Sequence, residues 1–259
     1  MPLIEAGSDT KGRFLVRKEE IFKDRLLLSG SEASHALRSL RVKKGDRILA
    51  TDGDGNEFLA TIEEVRRNCI ACSIVGKEKS KRENDMAIWL AQPILRSGRM
   101  DFVIEKCTEL GVAGFMPYLS PKSSVGARGQ PGREKLARWK RISESALKQS
   151  LGCVLPEFSD VKEFGQVVDS IRNFEKAFFA DEKADVSTVA GLPMTPGEKT
   201  KILIIIGPEG GFSDGERRSL ADKGAIPFSL GKRRLRSETA SILSVGMVAC
   251  SVQCSGGPR

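Results

Sequence analysis

The apolar and polar positions along the chain fall into two different rhythms. Up to about residue 76, short β-rich runs alternate with turn chemistry: "RFLV", "RLLL", "DRILAT", "EFLATIEEV" and "CIACSIV". Runs of this length bounded by Gly, Asp and Asn predict strands. "DGDGN", Asp52–Asn56, sits between two of them and predicts a hairpin. "SEASHALRSLRV" interrupts the strands as a helix, with Ala33, Ala36, Leu37 and Leu40 spaced for one buried face and His35 as a packing residue. Many short strands and one helix predict a small β-barrel.

The polar stretch "GKEKSKREND", Gly76–Asp85, has no apolar periodicity and reads as a linker. Beyond it strands and helices alternate. "MAIWLAQPI", "VAGFMPYLS", "KAFFA", "KILIIIG" and "IPFSLG" are strand-like. "RMDFVIEKCTELG", "GREKLARWKRISESALKQSLG", "DVKEFGQVVDSIR", "SDGERRSLADKG" and "TASILSVGMVACSVQ" are helix-like. That alternation predicts a parallel sheet covered on both faces. The expected organisation is a barrel over residues 1–76, a linker over 77–85 and an α/β domain over 86–259.

The formal charge of +8 changes the picture, because the excess is not spread evenly. Lys122, Arg128, Arg133, Lys135, Arg138, Lys140, Arg141 and Lys148 face only Glu134 and Glu144 between Pro121 and Cys153. A basic segment of this kind favours a polyanionic partner, since each cation set against a phosphate releases counterions. No apolar run is long enough to span a bilayer, and the opening residues lack the basic-then-apolar pattern of a secretory signal. The expectation is a cytoplasmic protein that acts away from membranes.

Six cysteines and one histidine cannot assemble a Cys/His zinc pattern. Cys69 and Cys72 form a C-x-x-C, yet they lie inside a strand-like run with no flanking turn. With Cys107, Cys153, Cys250 and Cys254 they are expected to be free thiols. Neither a metal nor a disulfide is expected.

The candidate chemistry lies near the C-terminus. "KILIIIGPEGGFSDGE" runs a buried strand into a loop with Gly207, Gly210 and Gly211. Loops at the carboxyl ends of parallel strands are where α/β sheets bind ligands. Ser213 with Glu216 three residues later fits a capping box that opens the next helix. The phosphate-cradling G-x-x-x-x-G-K-[ST] and the dinucleotide G-x-G-x-x-G are both absent. "SLGKRRLRSETAS" repeats the strand–glycine–loop–helix plan. The two loops together would enclose a ligand mainly through backbone groups, which a nucleoside-like molecule can satisfy.

"IGPEGGFSDGE" and "LGKRRLRSETA", in that order, resemble the signature of the bacterial 16S rRNA (uracil-N3)-methyltransferases. These belong to the SPOUT superfamily of knotted enzymes that use S-adenosylmethionine (AdoMet). "SGRMDFVIEKCTELGVAGFMPYLSPKS" is similar to the first strand–helix–strand of that catalytic domain, and "HALRSLRVKKGDRI" with "DGDGNEF" resembles its PUA-like RNA-binding barrel. The resemblance covers nearly the whole chain. Two places depart from it: Lys148-Gln149 and Cys153 stand where Glu-Gln and an arginine are common, and "KRR" before Leu235 is more basic than usual.

The resemblance implies a knotted (trefoil) parallel-sheet SPOUT methyltransferase domain behind an N-terminal PUA-like β-barrel. Propensity arguments alone would never predict the knot, because true knots are essentially absent from proteins. It further implies a homodimer, and 16S rRNA in the small ribosomal subunit as partner, with a uridine of the decoding region as target. Gly207, Pro208, Glu209, Gly210, Gly211, Leu230, Gly231, Leu235, Arg236, Thr239 and Ala240 would hold AdoMet.

Methylation at uracil N3 requires loss of its proton and stabilisation of the charge spread onto O2 and O4. A guanidinium is permanently charged, planar and multidentate, which suits Arg236 to that task. An ion pair with Glu238 or Glu209 is the alternative for Arg236. Glu209 would accept the N3 proton, hold the cationic methionine part of AdoMet, or cap backbone amides. Glu238 would orient Arg236 or cap the last helix. Arg38, Arg41, Lys43, Arg233 and Arg234 are candidates for RNA phosphate contacts. A non-catalytic rRNA-binding or assembly factor on the same fold is the competing reading, and binding alone has no need of a cofactor loop.

Overall fold

The computed structural model describes residues 9–96, 98–120, 122, 132–184 and 200–253. Arg128, Cys254 and the rest of the C-terminal tail lie outside the described residues. The chain divides into two compact units, residues 1–83 with 147–155, and residues 84–146 with 156–259.

The first unit contains β1 (Thr10–Leu15), β2 (Arg25–Ser29), α1 (Gly30–Arg38), β3 (Arg47–Thr51), β4 (Asn56–Val65) and β5 (Cys69–Lys79). The sheet order is β1-β3-β4-β5-β2, with β1 parallel to β3 and the other ladders antiparallel. Each strand sends alternate residues into one cluster that includes Phe14, Leu28, Ile48, Phe58, Ile62 and Ile70, closed by Ala33 and Ala36 of α1. The sheet therefore wraps a single core. At the expected hairpin, a carboxylate oxygen of Asp52 accepts from the backbone N–H of Asp54 at 2.9 Å and of Asn56 at 3.1 Å. Cys69 and Cys72 lie three apart on β5, so they point to opposite faces, Cys72 inward and buried and Cys69 half-buried.

Two features differ from the sequence expectation. Strand β5 continues through Lys79, with Lys77, Glu78 and Lys79 paired to Phe58, Glu57 and Asn56, so the chain expected to begin a linker is sheet. Its charged side chains hid the pairing because the ladder there uses backbone groups, not an apolar face. Residues 147–155 also belong to this unit. Backbone bonds of 2.8 Å join Gly55 N–H to the Cys153 carbonyl and Leu155 N–H to the Gly53 carbonyl.

That returning segment is tied by buried charge. Glu57 is fully buried between Arg13 and Arg82, and both its oxygens accept from Arg82 at 2.8 Å. Arg13 also donates to the Gly152 carbonyl and to the Cys153 sulfur, each at 2.9 Å. Cys153, the departure from the family pattern, thus rests beside a guanidinium supplied by β1. The other departure, Lys148, pairs with Glu32 at 2.6 Å.

The second unit contains β6 (Ala87–Pro93), α2 (Arg99–Glu109), β7 (Gly114–Leu119), most of α3 (Arg133–Gln149), β8 (Glu157–Phe158), β9 (Lys162–Glu163) and α4 (Phe164–Ser170). It continues with β10 (Lys176–Ala180), β11 (Lys201–Ile205), α5 (Asp214–Asp222), β12 (Ile226–Phe228) and α6 (Ser237–Gln253). Every ladder is parallel, in the order β12-β10-β11-β6-β7-β8, with β9 also on β7. Ile202 and Ile204 pack on one face with Val103 of α2, Trp139 of α3 and Val245 of α6. Leu203 and Ile205 pack on the other with Val167 of α4 and Leu220 of α5. Burial on both faces is why "KILIII" is apolar at almost every position. The helix expected over "DVKEFGQVVDSIR" is shorter than its pattern, because Lys162 and Glu163 pair with Tyr118 and Leu119 and Ile171–Asn173 tightens to a 3-10 turn. No helix among the described residues is long and apolar enough to cross a membrane.

Candidate active site

In the second unit's sheet β10 lies between β11 and β12, so three carboxyl ends stand side by side. The loops leaving them enclose a cleft of about 640 Å3, part of it open to solvent. The β11 end contributes Ile206, Gly207, Pro208, Glu209, Gly211 and Phe212. The β12 end contributes Leu230, Gly231, Arg233, Arg234 and Leu235. The β10 end contributes Ala180, Asp181 and Glu182, and Arg217, Ser237 and Ala240 complete the lining.

Each loop is fixed by identifiable bonds. Gly211 N–H closes a turn onto the Pro208 carbonyl at 2.8 Å, with Gly211 at φ +66°, and Gly231 turns the second loop at φ +108°. Side chains with a Cβ rarely adopt such angles, which explains glycine at both places. Tyr118 donates its hydroxyl to the Ile206 carbonyl at 2.6 Å, and burial, with Glu216 as a lesser cause, raises that phenol well above its ordinary range. Ser213 and Glu216 form the expected capping box at the start of α5. The two loops are joined directly. Ser237 donates to the Gly207 carbonyl at 3.0 Å and accepts from the Gln92 amide at 3.2 Å, while Arg234 donates to the Glu209 carbonyl at 2.9 Å.

Charge is layered around the cleft. Asp181 is buried and takes both carboxylate oxygens to Arg217 Nε, at 3.0 and 2.9 Å. Arg99, the first residue of α2, is 3.6 Å from Glu209 and 3.7 Å from Glu238. Arg236 is mostly exposed, with Nη1 4.0 Å from Glu238 Oε1. Glycine-opened backbone and apolar walls suit a flat nucleoside. Carboxylates at the rim suit a cationic centre, and the surrounding arginines suit a polyanion.

Comparison with known proteins agrees with this geometry. A family profile described as an RNA methyltransferase domain matches residues 82–249, and one described as an RNA methyltransferase PUA domain matches residues 28–75. Ribosomal RNA small subunit methyltransferase E of Mesomycoplasma hyopneumoniae is 30% identical over 229 residues, 88% of this chain and 94% of the relative. The chain belongs to this RNA methyltransferase family. The Bacillus subtilis methyltransferase E is 26% identical over 236 residues, covering 90% of this chain and 92% of its own. The Neisseria gonorrhoeae methyltransferase E, crystallised bound to S-adenosyl methionine, superposes with a TM-score of 0.78 at 25% identity, covering 90% of this chain and 94% of that one.

In this RNA methyltransferase the cleft brings together eight of the residues singled out for cofactor binding: Gly207, Pro208, Glu209, Gly211, Leu230, Gly231, Leu235 and Ala240. Gly210, Arg236 and Thr239 are not part of its lining, and Thr239 is exposed. Arg233 and Arg234, singled out for RNA, line the cleft as well. Arg38, Arg41 and Lys43 are exposed on the first unit, and His35, expected to pack on the helix face, is exposed too, its ring 6.3 Å from that of Phe14. Sequence reasoning missed Asp181 and Glu182, although "KAFFADE" ends a strand and the strand-end rule applies to it equally. It also missed Arg99, whose motif "SGRMDF" was noted without its arginine being singled out.

Proposed function

We propose that this family member is an AdoMet-dependent methyltransferase that methylates N3 of a uridine in 16S rRNA, in the decoding region of the small subunit. The observation that carries the reading is the cleft itself, built by both signature loops and tied by the Ser237–Gly207 bond. The cofactor fits its chemistry. Ile206, Phe212, Leu230 and Leu235 offer apolar surface to an adenine, main-chain groups of the two loops offer polar partners, and Glu182 and Glu209 complement a positive centre. When bound, AdoMet supplies an electrophilic methyl group on a sulfonium.

The remaining steps belong to the protein. Arg236, exposed beside the cleft, stabilises the charge on O2 and O4 as uracil N3 loses its proton. Glu209 accepts that proton or holds the cationic end of the cofactor. Gly210 and Thr239 complete the cofactor site from the loop and from the first turn of α6. Arg38, Arg41, Lys43, Arg233 and Arg234 contact RNA phosphates, in keeping with the net positive charge.

The protein acts as a homodimer in the cytoplasm. Phe102 of α2 is 46% exposed and Leu243 of α6 is 41% exposed, and burying such side chains against a second copy would stabilise the pair. The trefoil knot is carried over from the resemblance of the two C-terminal motifs.

Calorimetry with AdoMet, followed by transfer of a labelled methyl group to small ribosomal subunits, tests the reading. N3 lies on the pairing edge of uracil, so its methylation stops primer extension and locates the product. Heat on AdoMet addition and one such stop at a uridine are expected. Absence of heat, or label on another base or position, overturns the proposal.

A further inference from the structure

Each signature motif carries a carboxylate, Glu209 in the β11 loop and Glu238 in the first turn of α6, and one guanidinium from a third element stands between them. Strand β6 neighbours β11, so the start of α2 arrives beside the β11 loop. There Arg99 places Nη1 3.6 Å from Glu209 Oε1 and Nε 3.7 Å from Glu238 Oε1. The same Glu238 oxygen is 4.0 Å from Arg236 Nη1, so one carboxylate faces two cations. Its second oxygen, Oε2, is buried and has no hydrogen-bond partner among the described residues. A buried acceptor in this condition draws in whichever donor can reach it.

Two guanidiniums therefore compete for Glu238. Were Arg99 absent, the carboxylate would offer both oxygens to Arg236, and a bidentate pair is the strongest geometry that fork can adopt. Arg236 would then be neutralised and turned away from any base. The burial of the three side chains fits a division of labour: the Glu238 side chain is 12% exposed and Arg99 43%, while Arg236 is 75% exposed.

We propose that Arg99 is a positioning residue that occupies Glu238, and ties it to Glu209, so that Arg236 keeps its charge directed at the substrate base. The role rests on the methyl-transfer reading above and deepens it. Arg99 itself is not part of the cleft lining.

The test uses the full chain as Arg99→Gln, Arg99→Lys and the double variant Arg99→Gln/Glu238→Gln, with AdoMet affinity from calorimetry and single-turnover rates on small ribosomal subunits. Arg99→Gln is expected to slow methyl transfer at least about ten-fold, below the loss from removing a direct charge donor because Arg99 acts through another side chain. AdoMet affinity stays within about two-fold. Arg99→Lys recovers part of the rate. Adding Glu238→Gln to Arg99→Gln recovers at least about three-fold, because it removes the anion that captures Arg236. A merely structural arginine gives the opposite result, with the double variant slower than the single one and AdoMet affinity falling along with rate, and that result overturns the proposal. An Arg99→Gln protein as fast as the unmodified one overturns it too while leaving the methyl-transfer reading intact. An unmodified protein that neither binds AdoMet nor methylates removes both.

Discussion

The hydroxyl of Ser237 donates to the carbonyl of Gly207 at 3.0 Å, joining the first residue of α6 to the first residue of the glycine loop. Neither loop can open fully without breaking this bond. A Ser237→Ala variant loses it and leaves a partly buried carbonyl unpaired, at a cost of about 1 kcal/mol. AdoMet affinity is expected to fall about five- to ten-fold by calorimetry. An unchanged affinity would mean that the loops are held together by Arg234 and packing alone.

Arg236 sits outside the cleft lining but within ion-pair reach of Glu238. Its replacement by alanine is expected to reduce methyl transfer by about 10²–10³-fold, the loss typical of a removed charge-stabilising donor. AdoMet affinity is expected to be nearly unchanged. Equal loss of rate and affinity would show that Arg236 binds cofactor and does not act on the base.

In the first unit, Glu57 is buried between the Arg13 and Arg82 guanidiniums and pairs with both. Glu57→Ala leaves Arg13, itself buried, without its hydrogen-bonded carboxylate. The expected destabilisation is about 3–5 kcal/mol, the range for breaking a buried ion pair from one side. Denaturant unfolding measures it, and a loss below about 1 kcal/mol would place this pair with ordinary surface bridges.

Alkaline pH should unfold the protein progressively. Burial pushes the Cys72 thiol up to about 12 from an ordinary 9.0, and it raises Cys107 and Tyr118 as well. The folded state therefore holds these protons after the unfolded state has released them. Stability from Cys72 is complete below pH 9 and is lost as pH rises toward 12. Urea unfolding repeated between pH 8 and 11 should show falling stability, and Cys72→Ala should flatten the slope. Equal slopes for the two proteins would remove Cys72 as a cause.

Local chemistry was largely legible in the sequence. The alternation that divides Ile202 and Ile204 from Leu203 and Ile205, the Asp52 turn and the Ser213–Glu216 box all form as their spacing predicts. These are contacts within a few residues, or burial on two faces of one strand, and both leave a mark on a short window. The features that escaped detection join distant positions. Arg13 meets Cys153 across 140 positions, and Arg99 meets Glu209 only because β6 and β11 are neighbours in the sheet. Asp181 and Glu182 escaped because a strand end becomes a ligand site only once its neighbours in the sheet are known. Strand β9 escaped because two charged residues can pair through backbone alone.

The path of residues 147–155 bears on how the protein is made. The first unit borrows this segment from far downstream, so the partners that Arg13 and Glu83 find at Gly152 and Cys153 cannot come from residues 1–83. During synthesis the turn at Gly53–Gly55 and the Arg13 side chain wait for these partners until residue 155 has left the ribosome. The amino-terminal unit is thereby finished only after part of the second unit has been made, a departure from the usual domain-by-domain order of a growing chain. A gene split between the two halves would yield an amino-terminal fragment that holds its whole apolar core but lacks these ties, and restoring residues 147–155 would tighten it.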